Sequence, residues 1–250
     1  MAEIDALIFD VDGTLADTER DGHRVAFNRA FADAGLDWDW GVDLYGELLG
    51  VTGGKERIKH YLREFNPGFE APDDLDAFVA DLHAAKTEHY KALMNEGRVP
   101  LRPGVERLLR EARAVGVPMA IATTTTMDNV TSLLENTLGS DAIDWFAEIG
   151  AGDIVPRKKP APDIYEWVLQ RMGLGGDRVV AFEDSGHGVQ SAADAGIERI
   201  VVTPNDYTLG QDFSRAALVV DQLGERDAPP RTPDGTVLSG PVDLELLRRL

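Results

Sequence analysis

Short apolar runs that stop at polar residues recur along this chain, and segments with helical periodicity lie between them. Ile4 to Phe9 runs into Asp10, Val117 to Ala122 into Thr123-Thr124-Thr125-Thr126, and Arg178 to Phe182 into Glu183-Asp184. Arg199 to Val202, Ala217 to Val220 and Trp145 to Ile149 supply further strands. Runs this short and this apolar suit strands buried on both faces, and their alternation with helices predicts an α/β fold with a mostly parallel sheet. The polar residues fall at the C-terminal ends of the strands, the edge that carries ligands in open α/β sheets.

The helices between the strands follow the i, i+3, i+4, i+7 rule. Val105, Leu108, Leu109 and Ala112 sit between Pro103 and Gly116, and Val130, Leu133, Leu134 and Thr137 follow Asp128, read as an N-cap. Ile164, Trp167 and Val168 follow Pro162, and Val189, Ala192 and Ala193 precede Gly196. These stripes are read as core packing. Residues 17–96 differ: Phe27, Ala30, Phe31 and Ala34, then Ile58, Tyr61, Leu62 and Phe65, then Leu75, Phe78, Val79 and Leu82 give helical patterns without a convincing strand. The expectation is an all-helical domain over 17–96 inserted into an α/β domain formed by 1–16 and 97–250, with a short last helix from Val242.

Composition narrows the function classes. With 25 Lys and Arg against 44 Asp and Glu, the formal net charge is −19. A surface of that sign argues against nucleic acid and against an anionic membrane. The chain has no cysteine, which removes disulfides, zinc-thiolate sites, iron–sulfur clusters and a thiol nucleophile. No apolar run approaches the length of a membrane span, and the start Met1-Ala2-Glu3-Ile4-Asp5 has acids and no basic region. A soluble, cytoplasmic protein is expected, a monomer or weak oligomer.

The strongest chemical signal is Asp10-Val11-Asp12-Gly13-Thr14, directly after the first apolar run. An isolated Asp-Gly is usually a turn. Two carboxylates at the end of a buried strand repel each other unless a cation joins them, and oxygen donors of this kind suit Mg²⁺. An aspartate can also act as a nucleophile on phosphorus. Thr123 ends the next run and offers a hydroxyl and nearby backbone N–H groups, with Thr124 beside it. Lys159, in Arg157-Lys158-Lys159-Pro160-Ala161-Pro162-Asp163, supplies positive charge, and Glu183-Asp184-Ser185 supplies further acids. Taken singly, such a lysine is a solvated side chain and such a pair of acids a loop or cap. The ordered set is what carries meaning.

That set resembles the four motifs of the haloacid dehalogenase-like hydrolases over nearly the whole chain: Asp10-x-Asp12-Gly-Thr-Leu, Thr123, Lys159-Pro160-Ala161-Pro162-Asp163, and Phe182-Glu183-Asp184-Ser185-x-x-Gly188. The resemblance implies a Rossmann-like core with an all-helical C1-type cap. Within the superfamily, Asp17-Thr18-Glu19-Arg20-Asp21-Gly22-His23-Arg24 and Thr52-Gly53-Gly54-Lys55-Glu56-Arg57-Ile58 resemble the CbbY branch. That branch implies a Mg²⁺-dependent phosphatase acting on a small sugar phosphate, xylulose 1,5-bisphosphate. In this reading Asp10 is the nucleophile and Asp12 the general acid and base. Asp10, the Asp12 backbone carbonyl and Asp184 bind Mg²⁺, with Glu183 acting through water, and Thr123 and Lys159 hold the phosphoryl oxygens.

The helical segment is expected to choose the substrate. Gly53-Gly54-Lys55 reads as a small turn whose N–H groups and one cation can cradle a second phosphate. Arg57 adds a bidentate contact in this reading, and Glu19, His23 and Tyr45 are further substrate-side candidates. The same residues otherwise serve as a helix entry and a structural histidine. Trp38 and Trp40 are expected to pack inside, and His60, His83, His89 and His187 show no metal-ligand spacing. The alternatives are a β-phosphoglucomutase-like mutase that uses the same Asp10 and Asp12, a dehalogenase, a phosphonate-cleaving enzyme using Lys55, and a non-enzymatic acidic protein.

Overall fold

The computed structural model of the 250-residue protein describes residues 3–51 and 53–250. Met1, Ala2 and Thr52, the first residue of the Thr52–Ile58 motif, lie outside the described residues. The chain forms two compact units, Thr18–Val99 and Met1–Asp17 with Pro100–Leu250.

The first unit is helical. A π-helical turn, Thr18–His23, leads into α1 (Arg24–Asp33), followed by α2 (Val42–Leu48), α3 (Gly54–Glu64) and α4 (Leu75–Asn95). Asp74 caps α4 by accepting the Ala77 N–H at 2.9 Å. A small unit needs a high apolar content per residue, and aromatic rings supply it here. Trp40 is fully buried, 4.7 Å from the Phe27 ring and 4.8 Å from Phe31, while Trp38 lies 4.9 Å from Phe69. Helix α2 has no counterpart in the periodicity, because its seven residues bury only Tyr45 and Leu48.

The second unit is the α/β part. β1 (Ala6–Phe9), β2 (Met119–Ala122), β3 (Phe146–Gly150), β4 (Val179–Glu183), β5 (Arg199–Val202) and β6 (Leu218–Val219) make one sheet in the order β3-β2-β1-β4-β5-β6, with every neighbouring pair parallel. Every residue of β1, β2, β4 and β5 is buried, as expected of a sheet covered on both faces. The helices are α5 (Val105–Val115), α6 (Met127–Leu138), α7 (Asp163–Met172), α8 (Gly186–Asp194) and the short α9 (Leu244–Leu247). Ile164, Tyr165 and Val168 of α7 and Val189 and Ala192 of α8 pack with Ile8, Ala181 and Ile200 of the sheet.

One cap differs from the expectation. Thr126, not Asp128, caps α6 and accepts the Asn129 N–H; Asp128 lies in the first turn, where its charge suits the helix dipole. Strand order reverses between β1 and β4, because β2 and β3 extend the sheet on one side of β1 while β4, β5 and β6 extend it on the other. A crevice at the C-terminal strand ends is expected at such a switch point. Phe9 and Phe182 are register partners across it, with rings stacked at 4.5 Å. The next residues along those two strands are Asp10 and Glu183. Among the described residues no helix is long and apolar enough to cross a membrane.

Candidate active site

Beyond the stacked Phe pair, both strands end in acids. The Asp10 N–H donates to the Phe182 carbonyl at 3.0 Å, which extends the parallel ladder and holds the Asp10 backbone in register. Asp10, Glu183 and Asp184 are all buried, with a carboxylate oxygen of each within 4.8 Å of the others. Lys159 lies among them, donating to Asp10 Oδ1 at 2.7 Å and to Glu183 Oε1 at 2.6 Å. Asp10, Asp12, Thr124, Lys159, Glu183, Asp184, Ser185 and His187 line a cleft of about 210 Å³.

The charges in this cleft do not balance. Four carboxylates line it with one ammonium, and the three that cluster together would, fully ionised, exceed the Lys159 charge by two. The titration behaviour follows. Burial and the neighbouring Asp10 push the Glu183 carboxyl up to about 7, against the opposing pull of Lys159. Burial, Asp10 and Glu183 push Asp184 well above the usual carboxylate range. Burial works against the Lys159 ammonium, but Asp10 and Glu183 outweigh it, and its pKa rises above the ordinary lysine value. The donor set fits a hard divalent cation on a second ground: Glu183 Oε2 is buried and makes no hydrogen bond among the described residues.

Two glycines permit this packing. A Cβ at Gly188, on α8, would collide with the Glu183 carboxylate. Gly13, at φ +86°, brings the loop after β1 so close that a Cβ would strike Asp184 and Asn205.

The remaining motif residues of this unit fall as follows. Thr123 is buried, and its hydroxyl accepts the Thr125 N–H at 3.3 Å, while the exposed Thr124 lines the cleft. The Asp12 side chain lies outside the three-carboxylate cluster. His187, given no role from spacing, lines the cleft beside Ser185. Tyr165 gives no local signal in the sequence. It is fully buried and donates to Glu183 Oε1 at 2.6 Å. Only the i, i+1 relation of Ile164 and Tyr165 to an α7 core face could have found it. Burial and the nearby carboxylates raise its pKa well above the usual phenol value, so it stays a donor.

The helical unit gathers a second cluster, from buried Tyr45, Arg57 and Lys86 and half-buried Glu19 and His23. The Tyr45 hydroxyl donates to Glu19 Oε2 at 2.6 Å and accepts from Arg57 Nη1 at 2.8 Å, and Lys86 donates to His23 Nδ1 at 2.9 Å. Burial drives the His23 pKa down to about 3, helped by Lys86 and Arg57 and opposed by Glu19, so the ring is neutral and serves as the acceptor. Burial alone would raise Glu19, but the Arg57 and Lys86 charges and the Tyr45 hydrogen bond hold it below the usual carboxylate range.

Each guanidinium nitrogen of Arg57 meets a partner within the helical unit: Nε donates to the Leu48 carbonyl, Nη1 to the Tyr45 hydroxyl and Nη2 to the Val51 carbonyl. Its burial at the base of α3 makes it a brace for the loop after α2. Gly53 is the residue before α3, Gly54 is its first residue, and Lys55 is exposed in its first turn.

Comparison with known proteins places this geometry. Residues 4–196 match the haloacid dehalogenase-like hydrolase family. The plasmid-encoded protein CbbY of Cupriavidus necator is 48% identical over 90% of this chain and 87% of its own length. A mutant of CbbY from Rhodobacter sphaeroides, solved in complex with xylulose 1,5-bisphosphate, is 45% identical, with a TM-score of 0.74 over 89% of this chain and 96% of that one. A putative β-phosphoglucomutase from Thermotoga maritima is 29% identical, with a TM-score of 0.68 over 87% of this chain and 94% of that one. The chain belongs to the haloacid dehalogenase-like hydrolases and, among them, to the CbbY proteins, and it is a phosphatase of that type.

Proposed function

We propose that this enzyme hydrolyses xylulose 1,5-bisphosphate to xylulose 5-phosphate and inorganic phosphate, with Mg²⁺ as its cation. The observation that carries the chemistry is Lys159 held between Asp10 and Glu183 at the switch-point cleft. Asp10 stands at the cleft as the nucleophile, and the buried ammonium beside it can meet the charge on a phosphoryl group.

In this scheme an Asp10 carboxylate oxygen attacks phosphorus, and the bond from phosphorus to the sugar C1 oxygen breaks. Asp12 gives its proton to the leaving alkoxide, then takes a proton from the water that attacks phospho-Asp10. Lys159 and the strand-end groups at Thr123 and Thr124 hold the phosphoryl oxygens. Mg²⁺, held by Asp10, the Asp12 carbonyl and Asp184 with Glu183 through water, would supply charge stabilisation to the phosphoryl group. Tyr165 keeps Glu183 in place by its hydrogen bond.

The choice of substrate rests on similarity to CbbY and on charge in the helical unit. There Glu19 stands against Arg57 and Lys86 while His23 is neutral, which leaves a positive surplus suited to an anionic sugar. Exposed Lys55 at the start of α3 reads the second phosphate. A mutase of the same fold is the other reading, and identity favours the phosphatase, at 45–48% against 29%.

Turnover of xylulose 1,5-bisphosphate in ¹⁸O-labelled water separates the two. Hydrolysis gives one labelled inorganic phosphate for each xylulose 5-phosphate. Isomerised sugar phosphate without matching phosphate release would establish the mutase, and no turnover at all would remove this substrate.

A further inference from the structure

Asp184 has a partner that none of the motifs contains. The Asn205 amide Nδ2 donates to Asp184 Oδ2 at 2.7 Å. The Asn205 side chain is itself fixed at its other end, because its Oδ1 accepts the Tyr207 N–H at 2.9 Å. This assigns the amide: the oxygen faces Tyr207 and the donor faces Asp184. The backbone of Asn205 is tied as well, its N–H to Thr208 Oγ1 at 2.9 Å and its carbonyl to the Thr208 N–H at 3.0 Å.

The loop that carries Asn205 is anchored in turn. Arg102 is buried, and its guanidinium donates to the Thr203 carbonyl at 2.6 Å and the Pro204 carbonyl at 2.9 Å, the two residues before Asn205. The same Nη1 donates to the carbonyl of Gly13, next to Asp12. One cation therefore clamps the loop after β5 to the loop after β1, and the close approach of Gly13 to Asp184 and Asn205 lies beside that clamp.

We propose that Asn205, braced by Arg102, is the positioning residue for Asp184: it commits Oδ2 to the protein and leaves Oδ1 as the oxygen offered to the divalent cation. A carboxylate free to rotate would lose orientational entropy on binding a cation, and a fixed donor removes that cost in advance. This inference rests on the cation reading of the Asp10–Glu183–Asp184 cluster.

The test is Mn²⁺ binding to the full-length, metal-stripped protein, followed by the electron paramagnetic resonance of free Mn²⁺. The wild type is expected to bind, and Asn205→Ala to bind about 10- to 100-fold more weakly. The Mg²⁺ concentration for half-maximal phosphate release is expected to rise by a similar factor while KM for the sugar phosphate holds. Asn205→Ser serves if the alanine variant fails to fold. Its hydroxyl can keep an acceptor for the Tyr207 N–H but is too short to reach Asp184. Binding within about twofold of the wild type in a folded variant would overturn the role of Asn205 and leave the cation reading intact. No binding by the wild type would overturn both.

Discussion

The two charge clusters of this protein are solved in opposite ways. In the α/β unit, Asp10, Glu183 and Asp184 outnumber Lys159, and two of the three acids are pushed up toward protonation. In the helical unit, Glu19 is held down by surrounding cations and a hydrogen bond, and His23 gives up its charge to act as an acceptor. The first cluster is incomplete without positive charge from outside. The second is complete within itself, with a small positive surplus. The three acids of the first cluster are buried while Glu19 and His23 of the second are half-buried, and the balance of signs differs as well. A charge deficit in a packed site points to a ligand, whereas a balanced network points to a scaffold that presents its surplus to one.

Asp10→Asn breaks the contrast most severely. It removes the proposed nucleophile and one of the three negative charges. Phosphate release is expected to fall by about 10⁴-fold or more, while the metal-free variant melts no lower than the wild type. Steady-state assay and thermal unfolding of the same sample check both parts. Wild-type activity in a folded variant would remove the covalent mechanism.

The helical cluster should respond to acid instead. The folded His23 pKa is lowered from 6.5 to about 3, so the folded state binds fewer protons than the unfolded chain in that interval. Its contribution is therefore fully present above about pH 6.5 and is lost as pH falls toward 3, up to a few kcal/mol. Urea unfolding from pH 7.5 to 4.5 should show the wild type losing stability faster than His23→Gln, whose amide oxygen can still accept from Lys86. Parallel curves would mean that His23 is not held neutral.

Lys55 sharpens the comparison on the substrate side. Lys55→Ala should cost a sugar bisphosphate about 10- to 150-fold in kcat/KM, or roughly 1.5–3 kcal/mol, and a sugar monophosphate far less. Equal losses on the two substrates would show that Lys55 does not read a second phosphate.

The smallest effect is expected at Tyr165→Phe, which deletes one hydrogen bond to Glu183 and keeps the ring in the α7 core. Stability is expected to change by about 1 kcal/mol, readable in denaturant unfolding. A change several times larger would mean that Glu183 depends on Tyr165 more than on Lys159.

What could be read from the sequence was whatever repeats locally. Four of the strands occupy fully buried positions, which forces continuous apolar runs, and β5 is read to the residue as Arg199–Val202. Asp10, Glu183 and Asp184 are legible because strand ends carry them, and Lys159 because its Lys-Pro-Ala-Pro-Asp run leads into α7. Helix α2 escaped because two buried residues make no period. The brace residues escaped for a different reason. Tyr165 meets Glu183 across 18 residues, Asn205 meets Asp184 across 21, and Arg102 meets Gly13 across 89. Nothing in the local pattern marks such a tyrosine, asparagine or arginine until the strand order brings the loops together. The local pattern likewise gives no sign that Arg57 reaches back to the carbonyls of Leu48 and Val51.

The charge deficit at Asp10, Glu183 and Asp184 is most directly tested by calorimetric titration of Mg²⁺ into the chelator-stripped wild type at pH 7.5, with thermal unfolding across the same Mg²⁺ series. One Mg²⁺ should bind per chain, the unfolding temperature should rise with the logarithm of its concentration, and Asp184→Asn should weaken both effects. A folded wild type that takes up no Mg²⁺ and melts at the same temperature throughout the series would contradict it.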